Sequence, residues 1–165
     1  MPQPSPFINK MYKFFPMAEG VFLTAFAIGL VLRSMEYKTS IIFISLMGLA
    51  VIYFLSAFAQ IDSSNNTEKK GFSYQLTNNI APKILGIGSS AAAISVLFYL
   101  NQMNGYKEQV FIGGLSVVWV FLATAIASMV SNQSKKVLVP RLIRASPILL
   151  FCLYIWIMLM VNEGI

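Results

Sequence analysis

This 165-residue chain has six carboxylates, one thiol and no histidine from which to build an acid–base, nucleophilic or metal-binding site. The acids are Glu19, Glu36, Asp62, Glu68, Glu108 and Glu163, and the thiol is Cys152. Without histidine there is no His-ligated haem, no His/Cys zinc site and no Ser-His-Asp triad, and a lone cysteine rules out an internal disulfide. The chain is therefore expected to be non-enzymatic, with no catalytic, cofactor or metal residues. Of the acids only Glu19 falls near an apolar run. It follows Pro16 closely and is expected to be a first-turn acid at the membrane interface, favoured by the helix dipole, rather than a proton or cation relay.

The elements around these groups are apolar. Hydrophobic residues make up 57% of the chain and charged ones 11%, and the mean hydropathy is +0.71. A soluble domain carries about 25% charged residues, so this composition belongs to an integral membrane protein. The net charge of +6 lies in the breaks between apolar runs, where lipid headgroups and orientation explain it better than nucleic acid does.

Five transmembrane helices are predicted, as an all-α bundle. An interfacial segment at 1–16 leads into a first hairpin at 17–61, a polar loop at 62–83, a second hairpin at 84–130, a basic interfacial connection at 131–145 and a fifth helix at 146–165. The first apolar run continues past Ala25-Phe26-Ala27, so it is expected to be a span rather than a cleaved signal. Ser146-Pro147 is expected to supply the N-cap and first turn of the fifth helix. In the basic connection, Lys135, Lys136, Arg141 and Arg144 are the candidates for binding lipid headgroups, with Cys152 a small apolar residue beyond them. Counted on alternate sides, nine lysines and arginines fall with the N-terminus and three opposite. The positive-inside rule then places the N-terminus in the cytoplasm and the C-terminus outside.

The hairpins resemble each other. With Tyr37-Lys38 set against Tyr106-Lys107, the following arms align Ile41 with Val110, Ile42 with Phe111, Leu46 with Leu115 and Val51 with Val120. Before the turn, Leu32 and Met35 match Leu100 and Met103 once a residue is inserted. This predicts a parallel internal repeat, not the inverted repeat of many secondary transporters.

Small residues at four-residue spacing mark faces where helices approach closely. The third span, with Gly86, Ser90 and Ala93, is the expected centre of the bundle and a candidate packing surface, more so than a pore lining. Tyr154 and Trp156, near the middle of the fifth span, are candidates for packing against a partner subunit, a quinone or a lipid, because mid-membrane their polar ends need partners.

The first hairpin also resembles the membrane hairpin of GldL-type gliding-motility and type 9 secretion proteins of Bacteroidetes. The similarity lies in its small-residue first helix, in Leu32-Arg33-Ser34-Met35 before the turn, and in Leu49-Ala50-Val51-Ile52-Tyr53-Phe54-Leu55-Ser56-Ala57-Phe58. The resemblance implies a hairpin fold and a bacterial inner membrane. That family's membrane glutamate, thought to serve proton-driven rotation, has its counterpart at Leu49, so the chemistry does not carry over.

The function expected from all this is that of a non-catalytic membrane subunit scaffolding a larger complex, with membrane lipids and other membrane proteins as partners and no nucleic acid. The alternatives are a small channel or carrier, with Ser45, Ser56 or Thr124 lining a path, or a quinone- or lipid-binding subunit without its own redox centre.

Overall fold

The fold was described from a computed structural model covering residues 14–36, 40–58, 80–130 and 132–163, with side chains from 138 to 162 in the last segment. The interfacial segment before Phe14, Tyr37-Lys38, nearly all of the polar loop and the side chains of Lys135 and Lys136 lie outside the described residues. Within them the protein is entirely helical. It comprises α1 (Phe15–Ser34), α2 (Ile41–Phe58), α3 (Ala81–Leu100), α4 (Tyr106–Val130) and α5 (Asn132–Glu163). All five contain a stretch long and apolar enough to cross a membrane.

Local sequence explains where these helices start and stop. Pro16 and Pro82 stand in the first turns of α1 and α3, where a missing N–H costs nothing. Between α3 and α4 the chain reverses through Gly105 at φ 78°, a left-handed conformation that glycine adopts without a Cβ penalty.

The fifth helix departs from expectation. It does not start at Ser146 but runs unbroken from Asn132, with Pro140 and Pro147 inside it, and its apolar span is Leu138–Asn162. Pro147 cannot donate to the Ile143 carbonyl four residues back. The Ser146 hydroxyl donates to that carbonyl instead, at 2.7 Å. A proline is tolerated in a membrane helix when a neighbouring serine satisfies the freed acceptor. Ser146 thus bridges a helix interior rather than capping an end, and Arg141 and Arg144 belong to the spanning helix.

α3 lies at the centre, packed on α2, α4 and α5. Of its apolar span 56% is buried, against 22% for α1 at the edge. Ala92, Ala93 and Val96 are fully enclosed. At Gly86 an added Cβ would come 2.7 Å from both the Ala57 Cβ and the Tyr53 carbonyl oxygen of α2. Only hydrogen fits there, and this lets α2 and α3 approach backbone to backbone.

Burial also bears on the alignment of the hairpins. The register anchored on the Tyr-Lys pairs sets exposed Ile41 against buried Val110 and buried Leu46 against exposed Leu115. A constant separation of 68 residues, the interval from Ile42 to Val110, pairs buried with buried at five positions of α2, while buried Ala50 and Ala57 fall against exposed Val118 and Ala125. It matches Ser45 with Gly113, Leu46 with Gly114, Leu49 with Val117 and Ile52 with Val120. It is also the separation of Leu32 from Leu100, so the hairpin aligns without an insertion.

Candidate functional site

Glu19 is not a headgroup-facing acid. One turn past Pro16, it points into the bundle and is only 6% exposed. The edge position of α1 explains this, because its few inward residues, Phe15, Glu19, Phe26 and Gly29, form one stripe at helical spacing. The Phe26 ring continues the stripe in an edge-to-face contact with Phe151 of α5, with centroids 5.8 Å apart.

Three other helices complete the surroundings of the carboxylate. α5 brings the Arg144 guanidinium, whose Nε stands 3.9 Å from Glu19 Oε2, an ion pair across a gap rather than a direct hydrogen bond. α2 brings Tyr53, 5% exposed, whose hydroxyl faces the carboxylate closely enough to interact with it. No hydrogen bond of good geometry satisfies that hydroxyl. α3 brings Ser89, 1% exposed, whose Oγ is likewise without a partner. These groups line one cavity of about 40 Å³, together with Arg141 and apolar walls from Phe15, Ile52, Leu85 and Ala145.

The cavity lies toward the end of the bundle at which α1 and α3 begin. Glu19 is four residues from the start of α1, Tyr53 five from the end of α2 and Ser89 eight from the start of α3. At 1.5 Å per residue these are depths of about 6, 8 and 12 Å in a core of about 30 Å. Buried polar atoms without partners are rare in folded proteins. Of the three side-chain atoms of this kind among the described residues, two belong to residues that line this cavity.

The third is Trp156 Nε1. With α5 continuous to Glu163, Trp156 lies six residues from the end of the apolar span, about 9 Å deep. Its ring is seated inside the chain. It lies directly over Gly114 of α4, where a Cβ would collide with it, and meets Phe111 edge-on at 6.2 Å. Tyr154, 60% exposed, points outward. Gly86, Ser90 and Ala93 are buried, and so are occupied within the chain.

The hydroxyls considered as path linings turn back on their own helices. Ser45 donates to Ile42 O, Ser56 to Tyr53 O and Thr124 to Val120 O. Cys152 is fully buried among apolar neighbours. Among the described residues no cluster of acids and cysteine could hold a metal ion.

The sequence identified Glu19 but misjudged its surroundings, and it missed Tyr53 and Ser89. Tyr53 is the polar member of the apolar run Ile52-Tyr53-Phe54, and nothing in its spacing ties it to an acid 34 residues earlier. Arg144 was legible as a cation, though not as the carboxylate's neighbour. Compared with known proteins, the chain matches no family model, no curated protein and no solved structure.

Proposed function

We propose that this chain is a non-catalytic subunit of a larger membrane complex, docking through the outward faces of α4 and α5. The observation that carries this reading is Trp119. It stands 13 residues from the start of α4 and 11 from its end, so it is about 16 Å or more from either end of the helix. Its side chain is 61% exposed. Serine and threonine on outward faces satisfy themselves on their own helix, as Ser116 does on Ile112 O and Thr24 on Gly20 O. An indole is too large and rigid for that, and at mid-membrane its N–H needs a partner that lipid tails do not supply. The outward phenol of Tyr154 supports the same surface.

The orientation proposed with it has the start of α1 in the cytoplasm, supported by seven flanking lysines on that side, with Arg141 and Arg144 in the adjoining end of the α5 span, against three basic residues opposite. The likeness to GldL-type hairpins supports a bacterial inner membrane. A duplicated ancestral hairpin is supported by the 68-residue separation at which five of the eight buried residues of α2 fall against buried residues of α4.

The test is co-purification from native membranes in mild detergent. The wild type is expected to bring a larger partner in fixed ratio, and Trp119→Ala with Tyr154→Ala to lose it while the loops keep their protease protection. A wild type that purifies alone or only with itself overturns the reading. Orientation is checked at the sequons Asn65-Asn66-Thr67 and Asn132-Gln133-Ser134, which stay unmodified in a glycosylating host if that side is cytoplasmic.

A second reading, a lipid or quinone lying beside α5, is favoured by the groove between the start of α4 and the end of α5. It encloses about 410 Å³, with Phe111, Trp156 and Leu159 as walls and Lys107 and Glu108 at the rim. That is within the roughly 300–1,000 Å³ of small-molecule sites. Organic extraction of the purified chain is expected to release a stoichiometric amphiphile, and Gly114→Leu, which displaces the Trp156 ring, to abolish retention. Extraction that yields only bulk lipid in variable amounts rejects it.

A further inference from the structure

We propose that the cavity between Glu19, Tyr53, Ser89 and Arg144 is a hydrated proton-binding site. In it, internal water links Glu19 to the membrane face at which α1 and α3 begin. The inference is independent of the proposed subunit role, since the cavity lies at the opposite end of α5 from Trp156.

Three observations carry it. The first is fit. A cavity needs about 10–15 Å³ to take a water molecule, and that water needs two to four polar partners. Here about 40 Å³ holds one to three waters. The second is demand. Ser89 Oγ is buried without a partner and Tyr53 Oη meets the Glu19 carboxylate without a hydrogen bond of good geometry, and buried polar groups cost about 1–3 kcal/mol each unless satisfied. Arg144 meets Glu19 only across 3.9 Å, a separation at which a bridging water is to be looked for. A larger ligand does not fit, and an empty polar cavity is unfavourable.

The third is position. Charged residues inside a membrane span mark relays and pathways when they face the bundle interior and pair with one another. Glu19 satisfies both conditions. The groups facing it are Tyr53 from α2, Ser89 from α3, and Arg141 and Arg144 from α5. Proton uptake is then a simple exchange. A proton passes from bulk water along the cavity waters to a Glu19 carboxylate oxygen, an O–H bond forms there, and the donor water is restored from the same face. Protonation releases the attraction between the carboxylate and Arg144. Deeper along α3, Ala92, Ala93 and Val96 are fully buried, which favours access from the face at which α1 and α3 begin.

The test is infrared difference spectroscopy of the full chain in lipid nanodiscs. On a bulk pH jump, a protonated-carboxyl C=O band is expected to appear, to shift in D₂O within the dead time of mixing, and to be missing from Glu19→Gln, which is isosteric. Ser89→Val replaces the hydroxyl by apolar bulk at the cavity wall. It is expected to slow the D₂O shift about tenfold or more, since a cavity left too small for water cannot relay a proton. A band that persists in Glu19→Gln, the lack of any pH-dependent carboxyl band in the wild type, or an exchange rate unchanged by Ser89→Val overturns the proposal. Folding of each variant is read from the amide bands of the same spectra.

Discussion

At a separation of 68 residues Ile42, Ser45, Leu46, Leu49 and Ile52 of α2 fall against buried residues of α4, whereas the buried Phe15 and Glu19 of α1 fall against exposed Lys83 and Ile87 of α3. Glu19, pointing into the bundle from α1, has Ile87 as its counterpart in α3, and Ile87 points outward. Gly20, with open space around it, corresponds to Gly88, which is pressed against Val120 of α4. The two hairpins therefore serve two roles. The second hairpin supplies the axis of the bundle, and the first leaves α1 at the edge, held by few contacts. One of those contacts is ionic. An edge helix with little apolar surface to bury is where a carboxylate and an arginine can be accommodated, because headgroups and water reach the rim of the bundle. A central helix has no such access.

The sharpest break of the comparison is steric. Gly86→Val thrusts methyl groups at the Ala57 Cα, 2.8 Å from an ideal Cβ, and at the Tyr53 carbonyl oxygen. Because backbone cannot step aside, thermal unfolding in detergent is expected to report a loss of about 3 kcal/mol. Gly20→Val, on the edge helix, meets nothing within 4 Å and is expected to be neutral. Equal effects would mean that α1 is packed as closely as α3.

The next is ionic. Arg144→Leu leaves Glu19 buried opposite an apolar side chain. Removing one partner of a fully buried pair costs about 3–5 kcal/mol, but Arg144 keeps 37% of its side chain exposed, so about 2 kcal/mol is expected. Adding Glu19→Leu to Arg144→Leu is expected to restore most of the stability, since no buried charge then remains. A double mutant as unstable as the sum of the singles would show that the two residues do not interact.

These two positions differ in how readable they were. Gly86, Ser90 and Ala93 were legible as a packing face, because small residues at helical spacing have one dominant use in a membrane and it is local to one helix. The five spans were legible from length and hydropathy in the same local way. Which side of α1 faces inward was not. The helix is apolar all round, so its sequence offers no amphipathic stripe, and only the placement of α2, α3 and α5 decides that Glu19 points in. Trp156 misled for a related reason. The sequence showed an aromatic needing a surface, but not that Gly114, 42 residues earlier, had been left bare to receive it. The start of α5 was misread because Ser146-Pro147 is a good capping pair, and its alternative use as a bridge across a missing hydrogen bond is visible only in the backbone.

A smaller effect separates the hairpins by hydrogen bonding. Ser95 Oγ lies 2.7 Å from the Gln109 carbonyl of α4 and 2.8 Å from that of Ala91 in its own helix, so its one proton is shared between an acceptor in α4 and one in α3. The counterpart in the first hairpin is Ala27, exposed and incapable of such a bond. Ser95→Ala is expected to cost about 1 kcal/mol. The reverse exchange, Ala27→Ser, is expected to change nothing, because a serine there can bond its own helix. Both are read from unfolding of the same preparation, and a stabilising Ala27→Ser would mean that α1 and α2 approach more closely than the structure has them.

The smallest expected effect lies at the far end of α1. Arg33, exposed in the last turn, donates from Nη1 to the Leu100 carbonyl at the end of α3. Its counterpart Asn101 turns instead to Leu97 O of its own helix, at 2.8 Å. Both satisfy a terminal carbonyl that the helix leaves unpaired, as polar and cationic side chains near helix C-termini do. The difference is that Arg33 joins two helices and Asn101 caps one. Because the arginine is solvent-exposed, water replaces much of the bond when it is removed. Arg33→Ala is therefore expected to cost about 0.5 kcal/mol, within the range of exposed dipole contacts, and the cost should shrink at high salt as the charge component is screened. Arg33→Gln retains an N–H donor of shorter reach and is expected to fall between. A loss above about 2 kcal/mol would place this contact with buried charged hydrogen bonds and make the edge helix dependent on both of its ends, rather than on the Glu19–Arg144 end alone.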